Sequence, residues 1–281
     1  MPDALTLPAL LGDYPVTHAL RRGALVSPLV RLDFADVKSA SAGFKRAVRA
    51  LEFDVAELAV VTFLIARAHG APLVLLPAVV LGRFQHPYLV YNSERSDLKP
   101  EDLHGKKVGV RSYSVTTGAW IRGILMEDHG IDIAKVKWVT FEEAHVAQFR
   151  DPPNVERAPA GKDLNGMILA GEIDAAIIAA VPPADPRLKT VIRDPEAAAK
   201  RWAEKHKAVQ LNHLVVVRSS MPKSQSDEVF NLLVESKKAA GDPPMLPHGV
   251  EANRRNFEVA IDCAYKQRLI PRRFSVEELF E

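Results

Sequence analysis

Along the chain, short runs of apolar and β-branched residues alternate with stretches whose apolar positions recur at every third or fourth place. The runs have strand length and the stretches have helical spacing, so the pattern predicts parallel sheets joined by crossover helices. Strands are expected at 4–11, 30–34, 55–61 (partly helical), 73–80, 88–92, 107–110, 136–140, 174–179 and 213–218. Two helices are sharply marked. Trp120, Ile121, Ile124 and Leu125 form one apolar stripe that Gly130 ends. Near the C-terminus, SQSDEVFNLLVESKKAAG carries serine caps, a stripe through Val229, Leu232 and Leu233, and lysines in its last turn. The segment 150–163, RDPPNVERAPAGKD, reads as an exposed loop, and EEAH at 142–145 as the exposed start of a helix.

Composition narrows the possibilities. With 281 residues and 47% hydrophobic content the chain can bury a sizeable core. Its 37 Lys plus Arg nearly balance 35 Asp plus Glu, and no run of like charge stands out, so nucleic acid is not expected as a partner. The longest apolar stretch, at 71–82, contains two prolines and falls well short of the roughly 20 residues of a membrane span. No basic n-region precedes the first apolar run, so a cytoplasmic location is expected. Cys263 stands alone, on a probable helix face, and reads as a packed, inert thiol. Nine histidines are scattered without HxH or HExxH spacing, and no metal site is expected.

Chemistry concentrates at one corner. GKKVGVRSYSVTTGAWIRGIL, 105–125, runs from strand to helix through four hydroxyls, Ser112, Ser114, Thr116 and Thr117, beside Arg111 and Tyr113. A helix N-terminus offers unpaired N–H groups, hydroxyls can cap them or join them on a ligand, and a guanidinium can grip a carboxylate bidentately. The corner could therefore hold an acid. Equally, Thr116 or Thr117 could serve only as an N-cap and Arg111 as a surface charge. No glycine-rich phosphate loop is present, which argues against a nucleotide.

LHGKKVGV followed by a hydroxyl-rich turn and a helix resembles the opening of the second lobe of type 2 periplasmic-binding-protein folds. More narrowly, the chain resembles the 4,5-dihydroxyphthalate decarboxylase family. The matching stretches run nearly end to end: LGDYPVTHALRRG (11–23), LEFDVAELAVVTFL (51–64), GRFQHPYLVYN (82–92), the corner itself, LAGEIDAAIIA (169–179), NHLVVVR (212–218) and 248–280. Two departures stand out. RSYSVTT occupies a turn where the family tends to have Pro-Glu-Tyr, and His18 stands where Arg is usual, so Arg111 and His18 could signal a different acid.

The resemblance implies an α/β, two-lobed, type 2 periplasmic-binding-protein-like fold with the ligand cleft between lobes. Lobe one would comprise 1–90 plus 213–281 and lobe two 91–212, with crossings near 87–93 and 208–214. It implies a carboxy-lyase acting on a hydroxylated aromatic dicarboxylic acid, a homodimer, and no cofactor, because protonating the carboxylated ring carbon needs no separate electron sink. Cleft candidates are residues that follow strands, Asp13, Tyr14, Thr17, Glu57, Thr62, Arg83 and His86 from lobe one and Arg111, Ser112, Tyr113, Thr116 and Thr117 from lobe two, with Asn212 and His213 near the second crossing. Arg83, Arg111, Thr116 and Thr117 would orient carboxylates, His86 or His213 would donate the proton, and Glu57 or Asp13 would face the phenol. Asn253 and Arg254 stay in view through the resemblance, although NRR and PRR (271–273) otherwise read as helix ends and surface pairs.

Other readings of the same pattern are a solute-binding protein that takes up an acid unchanged, or another lyase on this scaffold. Relatives of the fold include a chorismate dehydratase and a thiamin-pathway protein whose cysteine-rich motif the single Cys here does not match.

Overall fold

A computed structural model describes residues 4–179, 183 and 185–281. Eleven strands form two sheets among these residues. The first sheet holds β1 (Leu5–Leu10), β2 (Val30–Phe34), β3 (Val55–Ala59), β4 (Leu73–Gly82) and β11 (Leu211–Arg218), in the order β2-β1-β3-β11-β4. β1 runs parallel to β2 and β3, while β11 is antiparallel to both β3 and β4. The second holds β5 (Leu89–Asn92), β6 (Lys107–Val110), β7 (Lys137–Thr140), β8 (Val155–Arg157), β9 (Ala175–Ile177) and β10 (Leu188–Thr190), in the order β10-β5-β9-β6-β7-β8.

Seven α-helices cover the sheets: α1 (Pro15–Arg21), α2 (Val60–Ala68), α3 (Thr116–His129), α4 (Leu164–Ala170), α5 (Pro195–His206), α6 (Lys223–Ala239) and α7 (Val250–Lys266). Gly130 takes a left-handed φ of 65° and ends α3, a conformation that would strain a residue with a Cβ. α6 buries Val229, Leu232 and Leu233 and packs against α1 and β4, so its apolar stripe is spent within its own lobe.

The chain leaves the first sheet at Gly82 and enters the second at Leu89, then returns between Thr190 and Leu211. These passages touch. The Arg83 N–H donates to Gln210 O at 3.2 Å and the Gln85 N–H to Gln210 Oε1 at 2.7 Å. The lobe division expected after residues 90 and 212 falls inside β5 and β11, each of which pairs wholly within one sheet. Strand 55–61 turns to helix at Val60. Two expectations need correction. The 150–163 segment contains β8, whose short run of alternating residues hides in a Pro-rich context, and 142–145 forms no helix.

The core spans both lobes. Phe44, Phe63, Tyr113, Trp138 and Phe257 belong to one continuous apolar cluster, and α7 packs against α2, α3 and β11. Cys263 on α7 points at Ala119 O, 3.5 Å away, and burial pushes its thiol up to about 12, as expected of an inert side chain. No helix among the described residues is long and apolar enough to cross a membrane, and no group of three metal-ligating side chains forms among them.

Candidate functional site

A cleft of about 700 Å³ opens between the sheets. Ala59, Leu81, Arg83, Asn212 and His213 come to it from the first lobe, with Ser41 and Phe44. Val110, Arg111, Val115, Thr116, Thr117, Phe141, Glu142, His145 and residues 162–165 face them from the second. Two helices begin at its walls. α2 starts at Val60 and α3 at Thr116, and the Val61 N–H donates to Thr116 Oγ1 at 3.1 Å, tying one helix start to the other across the lobes. The arrangement places positive helix ends and two arginines around one cavity, which suits an anion.

Glu57 is the organising group. It sits on β3, fully buried, opposite Val215 on β11, so His213 two residues back on β11 is its diagonal neighbour on the same face. His213 Nδ1 meets Glu57 Oε1 at 2.5 Å. Tyr14 Oη donates to the same oxygen at 2.7 Å, and the Gly12 N–H donates to Oε2 at 2.6 Å. Three donors around one carboxylate make its burial tolerable. A carboxylate on Nδ1 also orients the imidazole, leaving Nε2 as the nitrogen that can exchange a proton. Burial, then the Glu57 charge, push the Tyr14 phenol far above its ordinary range, so Tyr14 acts as a donor and not as a base. Its ring lies against Gly12, where a Cβ would come within 2.5 Å of Tyr14 Cε2. Thr17 braces that turn, accepting from the Tyr14 N–H at 2.9 Å and donating to Gly12 O at 2.7 Å.

The structure thus sorts the residues singled out in the sequence. Arg83, Arg111, Thr116, Thr117, Asn212 and His213 line the cleft. Arg83 stacks on Tyr88, 4.1 Å from the ring centroid, and burial lowers its pKa. Arg111 makes a loose pair with Glu142 at 3.4 Å. Asn212 Nδ2 is buried without a partner among the described residues.

Other candidates lie behind the wall or away from it. Glu57, Tyr14 and Thr17 act from beneath through His213 and the Gly12 turn, and Glu57, with both oxygens taken, does not face a ligand. Thr62 is buried under His145. Asp13 is exposed and pairs with His18 at 2.8 Å, because the GDYP turn carries it outward. Ser112 and Tyr113 are buried under the corner, where Arg122 Nη2 donates to Tyr113 O at 2.9 Å and stacks 3.8 Å from the Tyr113 ring. His86 belongs to another cavity, among Glu127, Asp128, Trp202 and Arg201, because the 86–88 turn swings its ring toward α3 and α5. Burial draws its pKa down to about 4. Asn253 holds the α7 start by donating to Pro247 O and Gly249 O, and Arg254 pairs with Glu251 and Glu277 on the surface.

Among the cleft residues that escaped the sequence reading is a histidine. His145 is buried at the cleft wall, with Nδ1 2.8 Å from Thr62 Oγ1. Burial, then the nearby Arg111, Lys45 and Arg49, pull its pKa down to about 3. EEAH gave no sign of this, since two acids beside a His read as solvated surface and the partner lies 83 residues away.

No family model matches the chain. Over 196 residues it is 28% identical to a 4,5-dihydroxyphthalate decarboxylase of Comamonas testosteroni, covering 63% of this chain and 58% of that protein. Over 216 residues it is 30% identical to a 4,5-dihydroxyphthalate decarboxylase of Pseudomonas putida, covering 71% of this chain and 82% of that protein. The chain belongs to the 4,5-dihydroxyphthalate decarboxylase family. Its match spans little more than half the length of the first of these relatives. In fold, this decarboxylase-family chain resembles the periplasmic aliphatic sulphonate binding protein SsuA of Escherichia coli, with TM-score 0.59 and 15% identity over 100% of this chain and 98% of that one. It is similarly close to the alkanesulfonate-binding SsuA of Xanthomonas axonopodis pv. citri bound to MOPS, at TM-score 0.59 and 14% identity, covering 100% and 99% of the two chains. The family member therefore has the two-lobed type 2 periplasmic-binding-protein fold.

Proposed function

We propose that the protein is a cofactor-independent carboxy-lyase acting on a hydroxylated aromatic dicarboxylic acid such as 4,5-dihydroxyphthalate, giving protocatechuate and CO2. The observation that carries this reading is the Glu57–His213 pair at the edge of a cleft whose other walls hold Arg83 and Arg111. A simple receptor needs only donors for the acid. An imidazole backed by a buried carboxylate, with its second nitrogen free, is equipped to move a proton.

In this mechanism the carboxylates are oriented by Arg111, Arg83 and the α3 start. Nε2 of protonated His213 gives its proton to the ring carbon that bears the departing carboxylate. The hydroxyl oxygen para to that carbon supplies electron density, the carbon–carboxylate bond breaks with its electrons returning to the ring, and CO2 leaves. His213 then regains a proton from solvent, so the reaction consumes one proton for each CO2 released. Glu57 offsets the imidazolium charge throughout and keeps Nε2 aimed. Lobe closure excludes water and strengthens each of these interactions.

The test is to incubate the purified protein with 4,5-dihydroxyphthalate, following CO2 and protocatechuate together. Turnover is expected, and His213→Asn should lower kcat by about 10²–10⁴. Thermal stabilisation by the acid without CO2 release would replace this reading with that of a binding protein.

A further inference from the structure

His145 is placed in the cleft from two sides. Beneath it, Thr62 Oγ1 lies 2.8 Å from Nδ1. Above it, Arg49 reaches across from the first lobe, Nε donating to His145 O at 2.8 Å and Nη2 to Ala144 O at 2.7 Å, while Lys45 and Arg49 each pair with Glu143 at 3.4 Å. His145 also stands edge-on to Phe44, ring centroids 5.4 Å apart, and the same phenyl packs against His213 at 5.3 Å. Two imidazoles from opposite lobes therefore share one aromatic spacer at the cleft.

Their hydrogen-bond partners give them different characters. His213 donates from Nδ1 to a carboxylate, which can only accept, so its Nε2 is the nitrogen left to take up and give a proton. Thr62 is buried, and its hydroxyl proton needs an acceptor. Among the described residues His145 Nδ1 is the only hydrogen-bond partner that hydroxyl has. Nδ1 therefore accepts, and Nε2 carries the hydrogen. His145 stays neutral at ordinary pH because burial and the nearby cations Arg111, Lys45 and Arg49 disfavour its charged form.

We propose that His145 is a substrate-contacting specificity residue that donates a hydrogen bond from Nε2 to a phenolic oxygen of the aromatic acid, and that Arg49 is the positioning residue which holds it there when the lobes close. The inference rests on the aromatic-acid reading of the cleft, and it defines the ligand further as one bearing ring oxygens opposite its carboxylate. Such a donor also favours a ring oxygen in its phenolate form, which pushes electrons into the ring more strongly than a phenol. A site built around a donor discriminates against analogues that lack the acceptor.

The experiment uses equilibrium binding of two probes that do not require turnover, protocatechuate and benzoate, to the full chain and its variants by calorimetry. Wild type is expected to bind protocatechuate at least about tenfold more tightly than benzoate. His145→Leu should erase that preference while leaving benzoate affinity unchanged, His145→Gln should restore part of it through its amide N–H, and Arg49→Ala should weaken protocatechuate binding selectively. The absorbance red shift of bound catecholate, present in wild type, should vanish in His145→Leu. A wild type without preference, or a preference that survives His145→Leu, overturns the proposal, and equal loss of both probes in every variant does the same by showing a purely structural role. CO2 release from 4,5-dihydroxyphthalate is measured separately: its absence alongside an intact His145-dependent preference would defeat the lyase reading and leave this one standing.

Discussion

At the residue scale, the decisive feature is how one buried carboxylate is satisfied. Glu57 takes hydrogen bonds from a backbone N–H, a phenol and an imidazole, and each donor is there for a local reason: Gly12 because only a glycine lets the Tyr14 ring lie so close, Tyr14 because Thr17 braces its turn, His213 because antiparallel pairing sets it diagonal to Glu57. Tyr14 makes this testable without any substrate. Its folded-state pKa lies above that of a free phenol, so the native protein should hold its proton where exposed tyrosines ionise, at about pH 9–11. Of the five tyrosines, one fewer should then titrate in the native protein on account of Tyr14. Tyr14→Phe is expected to leave the native ultraviolet titration amplitude unchanged while reducing that of the denatured chain, and an equal reduction in both would show Tyr14 to be accessible.

At the element scale, the corner between β6 and α3 depends on a residue that faces away from the cleft. Arg122 is fully buried, with Nε donating to Gln267 Oε1 at 2.8 Å and Nη2 to Tyr113 O, and it stacks between Tyr113 and Trp138. It links the hydroxyl-rich turn before α3 to the end of α7. Burial lowers its pKa, and the Nε and Nη2 hydrogen bonds with the two rings offset part of the lost hydration, while Nη1 is buried without a partner among the described residues. Arg122→Ala should leave a cavity and two acceptors without donors, costing about 2–4 kcal/mol in a urea unfolding experiment. Because the RSYSVTT turn would loosen with it, affinity for the aromatic acid should fall as well. The hydroxyl-rich corner was legible in the sequence; its anchor was not, since an arginine inside an amphipathic helix ordinarily reads as its solvated face.

At the scale of the whole molecule, burial of several histidines ties stability to pH. His86, His145 and His248 have folded-state values drawn down to about 4, 3 and 4, each first by burial. A histidine whose pKa is depressed on folding contributes stability that is fully present above its unfolded value near 6.5 and is lost as pH falls toward the folded value. Stability should therefore decline between about pH 6.5 and 4, by on the order of 1–2 kcal/mol per histidine at pH 5. Denaturant midpoints measured from pH 7.5 downward check this. His86→Leu should flatten the slope without touching the cleft, because that ring lies in a different cavity.

Sequence alone determined the alternation of strands and helices, through local periodicity, and the family, through motifs that match along nearly the whole chain; the resemblance and the turn chemistry at strand ends then pointed to candidate cleft residues. Arg83, Arg111, Thr116 and Thr117 were visible in this way, and Asn212 and His213 from their place near the second lobe crossing. Only the tertiary structure decided which titratable groups meet. Glu57 and His213 are 156 residues apart, Thr62 and His145 are 83 apart, and Arg49 reaches His145 across the lobes. It also moved His86 and Asp13 out of the cleft and brought His145 in. The physical reason is that a histidine's character comes from burial and from the partner on its other nitrogen, and both are supplied by chain segments that come together only on folding.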